Sequence, residues 1–264
     1  MKKLIISMTA AAAVLMGAEG VEKPNPLVTH TELGFVQTGG NTDTTAFSLD
    51  FTGKKSWAKQ SLKLNLDALY GTQNGVENNN KIVGILNYDW QFEKRVALNY
   101  IVGYKDDKFS GYTYQFFTGP GVKYDVLGSK KYTLDLQGNV LYNMQQEMNK
   151  YYDANGTEVK YPYPNGTNGL TEVDGTYKNY WGYLISGNFR WTIVEGFKFI
   201  EEASYRSEFD NADNYFVYSK TAVESKINGN FSMGVSYKVN YNNLPPAGNE
   251  RTDTTLMVSL IIDY

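Results

Sequence analysis

The chain contains no cysteine. Disulfide scaffolds, thiolate metal sites and an N-terminal lipoprotein anchor are therefore excluded. It contains one histidine, His30, which leaves little material for imidazole-based catalysis. Beyond the N-terminus no run of 18 apolar residues occurs, so no helix can be expected to span a membrane. Mean hydropathy is −0.44, yet aromatic residues make up 15 % of the 264 positions, 22 of them Tyr. That pairing is unusual for a water-soluble domain built around one dense core.

The first residues have the order of a secretory signal. Met1-Lys2-Lys3 is a positive start, Leu4 to Met16 is apolar, and Ala18-Glu19-Gly20 puts small residues at the −3 and −1 positions for cleavage before Val21. Cleavage after Ala18 fits the same pattern. The expectation is a signal peptide over 1–20 and an exported domain over 21–264. Its loss removes two Lys and one Glu, taking the formal net charge from −3 to −4. Mild acidity of that kind argues against nucleic acid as a partner.

Apolar and polar residues then alternate with a period of two almost throughout, the pattern of half-buried strands. In "SLKLNLDALY" Leu62, Leu64, Leu66, Ala68 and Tyr70 alternate with Lys63, Asn65 and Asp67. "RVALNYIVGY", "YTLDLQGNVLY", "FSMGVSYKVNY" and the closing "TLMVSLIIDY" behave alike. The pattern predicts twelve strands near 29–38, 44–54, 60–71, 80–91, 95–105, 112–126, 132–143, 177–193, 197–209, 215–226, 230–242 and 253–264. Connections alternate between short ("QFEKR", "VEG", "NGN") and longer ones ("TQNGVENNN", "DDKFSG", Met144 to Thr176, "NNLPPAGNER"), with the short "GGNTD" as an exception. Short turns on one rim and long loops on the other, with an even strand count, describe an antiparallel transmembrane β-barrel of the bacterial outer membrane. Both ends of the exported chain and the short turns then lie on the periplasmic side.

A soluble sandwich shares the period, but three features separate the two. Many strands run to ten residues or more, the length a tilted strand needs to cross a bilayer. Aromatics on the apolar stripe crowd toward strand ends, at Tyr70, Trp90, Tyr104, Tyr132, Tyr142, Trp181, Trp191, Tyr241 and Tyr264, with aliphatics between them. Interfacial girdles have that distribution, because amphipathic rings prefer the headgroup level. The opposite face carries Asp50, Lys63, Asp67, Lys81, Asp89, Lys105, Lys123, Asp135, Arg190 and Lys238, with both signs interspersed and no single-sign cluster. That face suits a solvated lumen and not a soluble core. Glu201 and Glu224 fit least well, since the simple register puts both on the apolar face; a bulge or a register shift is the expected reason. On this reading the stripe of "TLMVSLIIDY" faces lipid and the last strand closes the barrel, because hydrocarbon leaves no backbone edge unpaired.

The stretches "GFVQTGGNTDTTAFSLDFTGKK", "GPGVKYDV" and "NYNNLPPAGNERTDTTLMVSL" resemble the salt-induced outer-membrane proteins, a bacterial domain family of unknown function. The likeness runs from about Thr29 to Tyr264, and Gly39-Gly40-Asn41-Thr42-Asp43 is its most specific piece; the long Met144–Thr176 loop departs from it. The resemblance implies location and architecture and supplies no catalytic residue. Tyr264, a terminal aromatic on an alternating strand, also resembles the signal read by the barrel-assembly machinery. Outer-membrane lipids and that machinery are thus the expected partners, and a monomer is compatible with the pattern.

No GxSxG elbow, HExxH or phosphate loop occurs, so neither catalysis nor a cofactor is expected. His30 reads more simply as an interfacial or lumen-mouth side chain. The long loop gathers Asp153, Glu158, Glu172 and Asp174 with Tyr151, Tyr152, Tyr161 and Tyr163, without the ordered spacing of a calcium loop. A self-packed hairpin extension is the simpler expectation, and a surface-binding loop the alternative. Twelve strands lie between barrels filled by side chains and barrels with open channels, so a narrow passive channel and a structural, osmotic-stress-related barrel both remain open.

Overall fold

The computed structural model describes residues 26–38, 43–163 and 166–264. The expected signal segment lies outside the described residues, as does Gly39 to Thr42 of the family-like stretch. Twelve strands close into one antiparallel barrel: β1 (Val28–Thr38), β2 (Thr44–Trp57), β3 (Gln60–Gln73), β4 (Val76–Glu93), β5 (Val96–Asp107), β6 (Tyr112–Gly128), β7 (Tyr132–Glu147), β11 (Tyr177–Val194), β12 (Phe197–Glu208), β13 (Tyr215–Asn228), β14 (Phe231–Asn242) and β15 (Thr252–Asp263). Three short strands, β8 (Lys150–Tyr152), β9 (Glu158–Val159) and β10 (Thr171–Val173), form a separate small sheet inside the long loop. Each barrel strand pairs with its sequence neighbour, and β1 meets β15 to close the ring.

One end of the barrel carries tight turns at Ala58–Lys59, Lys94–Arg95, Ser129–Lys131, Glu195–Gly196 and Gly229–Asn230. The other carries the longer connections at 108–111, 148–176, 209–214 and 243–251. The expected loop "TQNGVENNN" is the main departure. There β3 and β4 extend to meet at a two-residue turn, Asn74–Gly75, with φ of 49° and 76°. Positive φ at both central residues is what an Asn-Gly hairpin turn supplies, and its twist matches the strands.

Alternation in sequence becomes inside and outside. On β15, Leu256 and Val258 are 71 % and 58 % exposed, while Met257, Ser259 and Ile261 between and beyond them are almost wholly buried. The barrel strands are 11 to 18 residues long. Twelve residues at about 3.3 Å each, tilted by about 40°, cover about 30 Å of height. Around that height the outward side chains are mainly aliphatic in the middle, with Tyr100 and Tyr237 among them, and aromatic toward both rims. Near the loop end Tyr142 packs on Trp181 (5.3 Å between centroids), Tyr183 on Tyr205 (6.0 Å), Tyr205 on Tyr215 (5.4 Å) and Tyr215 on Tyr241 (5.8 Å). Near the turn end Tyr132 packs on Trp191 (6.1 Å) and Phe189 on Phe199 (6.4 Å). Tyr70, Trp90, Tyr104 and Tyr264 also point outward at the rims.

The two awkward glutamates resolve differently, and neither needs a bulge. Pairing of β12 with β13 is continuous from Phe197 to Ser207. Glu224 points inward and is 5 % exposed. Glu201 points outward beside Phe189 of the turn-end aromatic ribbon, and the Ser219 and Thr221 hydroxyls donate to its two oxygens at 2.9 and 2.6 Å. A carboxylate at an aromatic girdle with two donors escapes most of the cost of a mid-belt charge.

Part of the interior is filled by side chains. Ile101, Leu141 and Leu184 form an apolar cluster with Ile85 and Phe117. Toward the turn end from it, Gln137 donates to Asn99 and Asn139 at 2.9 and 2.8 Å, and Asn99 donates to Asp89 at 2.6 Å. These amides reach across β6 because the wall there is Gly119-Pro120-Gly121: a Cβ on Gly121 would collide with the Asn139 amide and the Gly138 carbonyl. Pairing of β6 with β7 lapses at 119–120, where Pro120 has no N–H to give.

Candidate functional site: the barrel interior

Beside that filling runs a cavity of about 1180 Å³. Its lining includes His30, Asn230 and Asp263 at the turn end and Tyr161, Pro246 and Arg251 at the loop end, so it runs the height of the barrel. Lys63, Asp67, Lys81, Lys105, Lys123, Asp135, Arg190 and Asp50 all border it. Lys238 is buried at its wall and Asp89 lies in the adjoining amide network.

Register sorts these charges in a way that linear spacing does not. Glu32 stands opposite Asp50 and Asp50 opposite Asp67, giving one row of carboxylates across β1, β2 and β3. Lys220 stands opposite Lys238, giving a row of ammonium groups across β13 and β14. Like charges directly opposite one another destabilise a sheet. Here each row is neutralised by the other along the inner wall, over the intervening β15. Lys220 Nζ lies 2.5 Å from Glu32 Oε1, and Lys238 Nζ lies 2.6 and 2.8 Å from the Asp50 oxygens and also bonds Asp67. Lys81 adds a 3.1 Å contact to Asp67. The expectation of interspersed signs with no single-sign cluster is thus corrected, since pairing gathers residues far apart in sequence. Lys220 and Glu202, absent from that expectation, also line the cavity.

Elsewhere Lys123 lies between Asp89 and Asp135 at 3.7 and 3.6 Å, and Lys105 meets Asp107 at 3.1 Å. Arg206 takes aromatic partners instead, 4.7 Å from the Phe117 ring centre and 4.4 Å from that of Phe216. At the turn end His30 sits in the lumen mouth, where its Nδ1 is 2.6 Å from Asp263 Oδ1. Lys54 and Lys63 are register partners there, both bordering the cavity.

The loop end is covered. Tyr161 donates to Glu77 at 2.5 Å, packs edge-on against Phe109 (5.4 Å) and lies under Lys108. Burial, then the Glu77 carboxylate, push the Tyr161 hydroxyl above its usual range, so it keeps the proton it donates. Lys160 Nζ donates to the Gly248 carbonyl at 2.6 Å, tying the long loop to the β14–β15 loop, and Asn249 donates to the Phe109 carbonyl at 2.9 Å, tying that loop to the β5–β6 connection. Tyr151 and Tyr163 pack at 5.1 Å within the loop, and Asn149 and Tyr151 donate to Glu172 and hold its carboxyl low. Asp153 accepts the backbone N–H of Asn155 and Thr157, so the acid serves a turn.

One family model matches residues 31–264, and its description is "Protein of unknown function, DUF481". The chain belongs to this family. No curated protein matches it. Among solved structures it is similar to a NanC porin (10 % identity, TM-score 0.46, covering 90 % of this chain and 99 % of that one). It is also similar to the translocator domain of the autotransporter NalP from Neisseria meningitidis (9 %, 0.46, 100 % and 95 %) and to a KdgM porin (10 %, 0.42, 89 % and 99 %). Likenesses this distant say nothing of what the chain conducts or binds.

Proposed function

We propose that this protein is an outer-membrane β-barrel acting as a narrow passive channel for small solutes or ions, with outer-membrane lipids around it and the barrel-assembly machinery as its partner during insertion. Support for the membrane comes from the closed ring, in which every barrel strand has a hydrogen-bonded neighbour on both sides, and from the largely aliphatic belt between two aromatic rims, which in water would be an aggregation surface. Support for the channel comes from one observation: the cavity has lining residues at both ends of the barrel. The ion-paired acids and lysines give that stretch of wall a polar, hydrogen-bonding lining suited to charged or dipolar solutes. No catalytic chemistry belongs to this reading.

The test is planar-bilayer conductance of the purified, folded barrel. Wild type is expected to give small unitary steps, and Lys238→Gln, which removes the bridge from β14 to Asp50 and Asp67, larger ones. Absence of steps from both variants overturns the channel. A second reading, a structural barrel of the kind the salt-induced resemblance suggests, is favoured by the side chains that fill part of the lumen and by the covered loop end. It expects no conductance and an abundance that rises with external salt.

A further inference from the structure

Where the ring closes, β1 and β15 share four registered pairs among the described residues, from His30 opposite Asp263 to Leu33 opposite Leu260. Every other barrel junction has at least eleven. Beside this short seam, on the cavity side, the inward side chains of β14 are Ser232, Gly234 and Ser236. On β15 the inward Ile261 leans over Gly234, and past it Glu224 of β13 comes within 3.6 Å of His30 of β1.

Asp263 can only accept from His30 Nδ1, so Nδ1 carries a hydrogen and Nε2 is the ring atom open to the lumen. Nε2 faces two carboxylate oxygens, Glu32 Oε1 at 3.3 Å and Glu224 Oε1 at 3.6 Å, and it meets them either as an N–H donor or, once that proton is given up, through a shared cation. Three potential ligand atoms converge, mutually within 4.8 Å. Glu224 is 5 % exposed and makes no side-chain hydrogen bond among the described residues; its partners are long ion-pair contacts, to Lys198 at 3.8 Å and to His30 at 3.6 Å. A buried carboxylate held only at those distances gains from a cation bound directly to it.

We infer that His30, Glu32 and Glu224 form a site for a divalent transition-metal ion, best matched by Zn²⁺, which ties β1 to β13 across the closing seam. Ligand atoms about 2.1 Å from a tetrahedral zinc ion lie about 3.4 Å from one another, the separation of Nε2 from both oxygens here. Asp263 supplies the carboxylate behind the histidine that fixes the tautomer of a metal-bound imidazole. Glu32 Oε1 has two lone pairs, one for Lys220 and one for the ion. The fourth position opens on the cavity, which is the entry path. The inference rests on the barrel and not on conduction.

The experiment is titration of ZnCl₂ into the untagged, folded barrel in detergent at neutral pH, followed by calorimetry and by the temperature at which gel mobility shifts to the unfolded form. Wild type is expected to bind one ion per chain and to unfold several degrees higher when zinc is in about hundredfold excess over its Kd. Glu224→Gln, which keeps size and hydrogen-bonding capacity, is expected to fold and to lose both effects. Asp263→Asn should weaken binding about ten- to a hundredfold. His30→Ala is expected to match Glu224→Gln if it folds, and the Gln variant decides if it does not. A flat wild-type titration up to about 1 mM zinc, near the weakest affinity worth calling a site, overturns the inference. So does a Glu224→Gln barrel that binds zinc as wild type does.

Discussion

Replacing Leu66 by arginine tests the facing and the depth of the barrel together. Leu66 points outward from the middle of β3, six residues after Gln60 and seven before Gln73, with its Cδ2 packed over Gly84 of β4. At about 3.3 Å per residue and about 40° of tilt, six residues place it about 15 Å from the nearer strand end. A guanidinium attached there has no route to water along the outer surface, and the cost is about 2–4 kcal/mol. Near 3 kcal/mol that is roughly a hundredfold in the folding equilibrium. Leu98→Arg supplies the depth control. Leu98 is also outward, but it lies two residues from the start of β5 and pairs with Trp90 of the aromatic rim. Its arginine reaches the interface, and the cost falls to about 0–1 kcal/mol. Asn65→Arg supplies the facing control: Asn65 borders the cavity and accepts from Thr52 at 2.9 Å, so the change loses one hydrogen bond, about 1 kcal/mol. Urea unfolding of each variant folded into lipid vesicles reads all three costs. Equal costs for Asn65→Arg and Leu66→Arg would refute the facing, and equal costs for Leu66→Arg and Leu98→Arg would refute the depth.

Two further outcomes are expected. Trypsin added to intact cells should cut within 144–176, where Lys160 is exposed, and should spare Lys94 and Arg95 at the turn end until the cells are permeabilised; early cleavage at Lys94 or Arg95 would invert the topology. Gly121→Ala should destabilise the barrel by about 1–3 kcal/mol, because its Cβ drives β6 away from the Gly138 carbonyl and displaces Asn139; Gly138→Ala, with open space around it, should cost less in the same urea assay.

Strand number, strand order of hydrophobicity and the inside–outside alternation were legible in the chain itself. A period of two is local, and a barrel wall keeps that period wherever one face meets an apolar phase and the other a polar one. The outward aromatics near strand ends, such as Tyr70, Trp90 and Trp181, were legible for the same reason. The Asn74–Gly75 hairpin was also written there, but its polar flanks, Thr72-Gln73 and Glu77 to Asn80, read as loop because strands that extend beyond the apolar belt lose the alternation that marks them. What tertiary structure alone decided is which charges meet. Glu32, Asp50 and Asp67 share a row, and His30 meets Glu224 across 194 positions of sequence, because strand register and ring closure set those neighbours. Linear spacing carries no trace of an offset between strands, so the lumen's electrostatics and the His30 cluster came into view only with the closed ring.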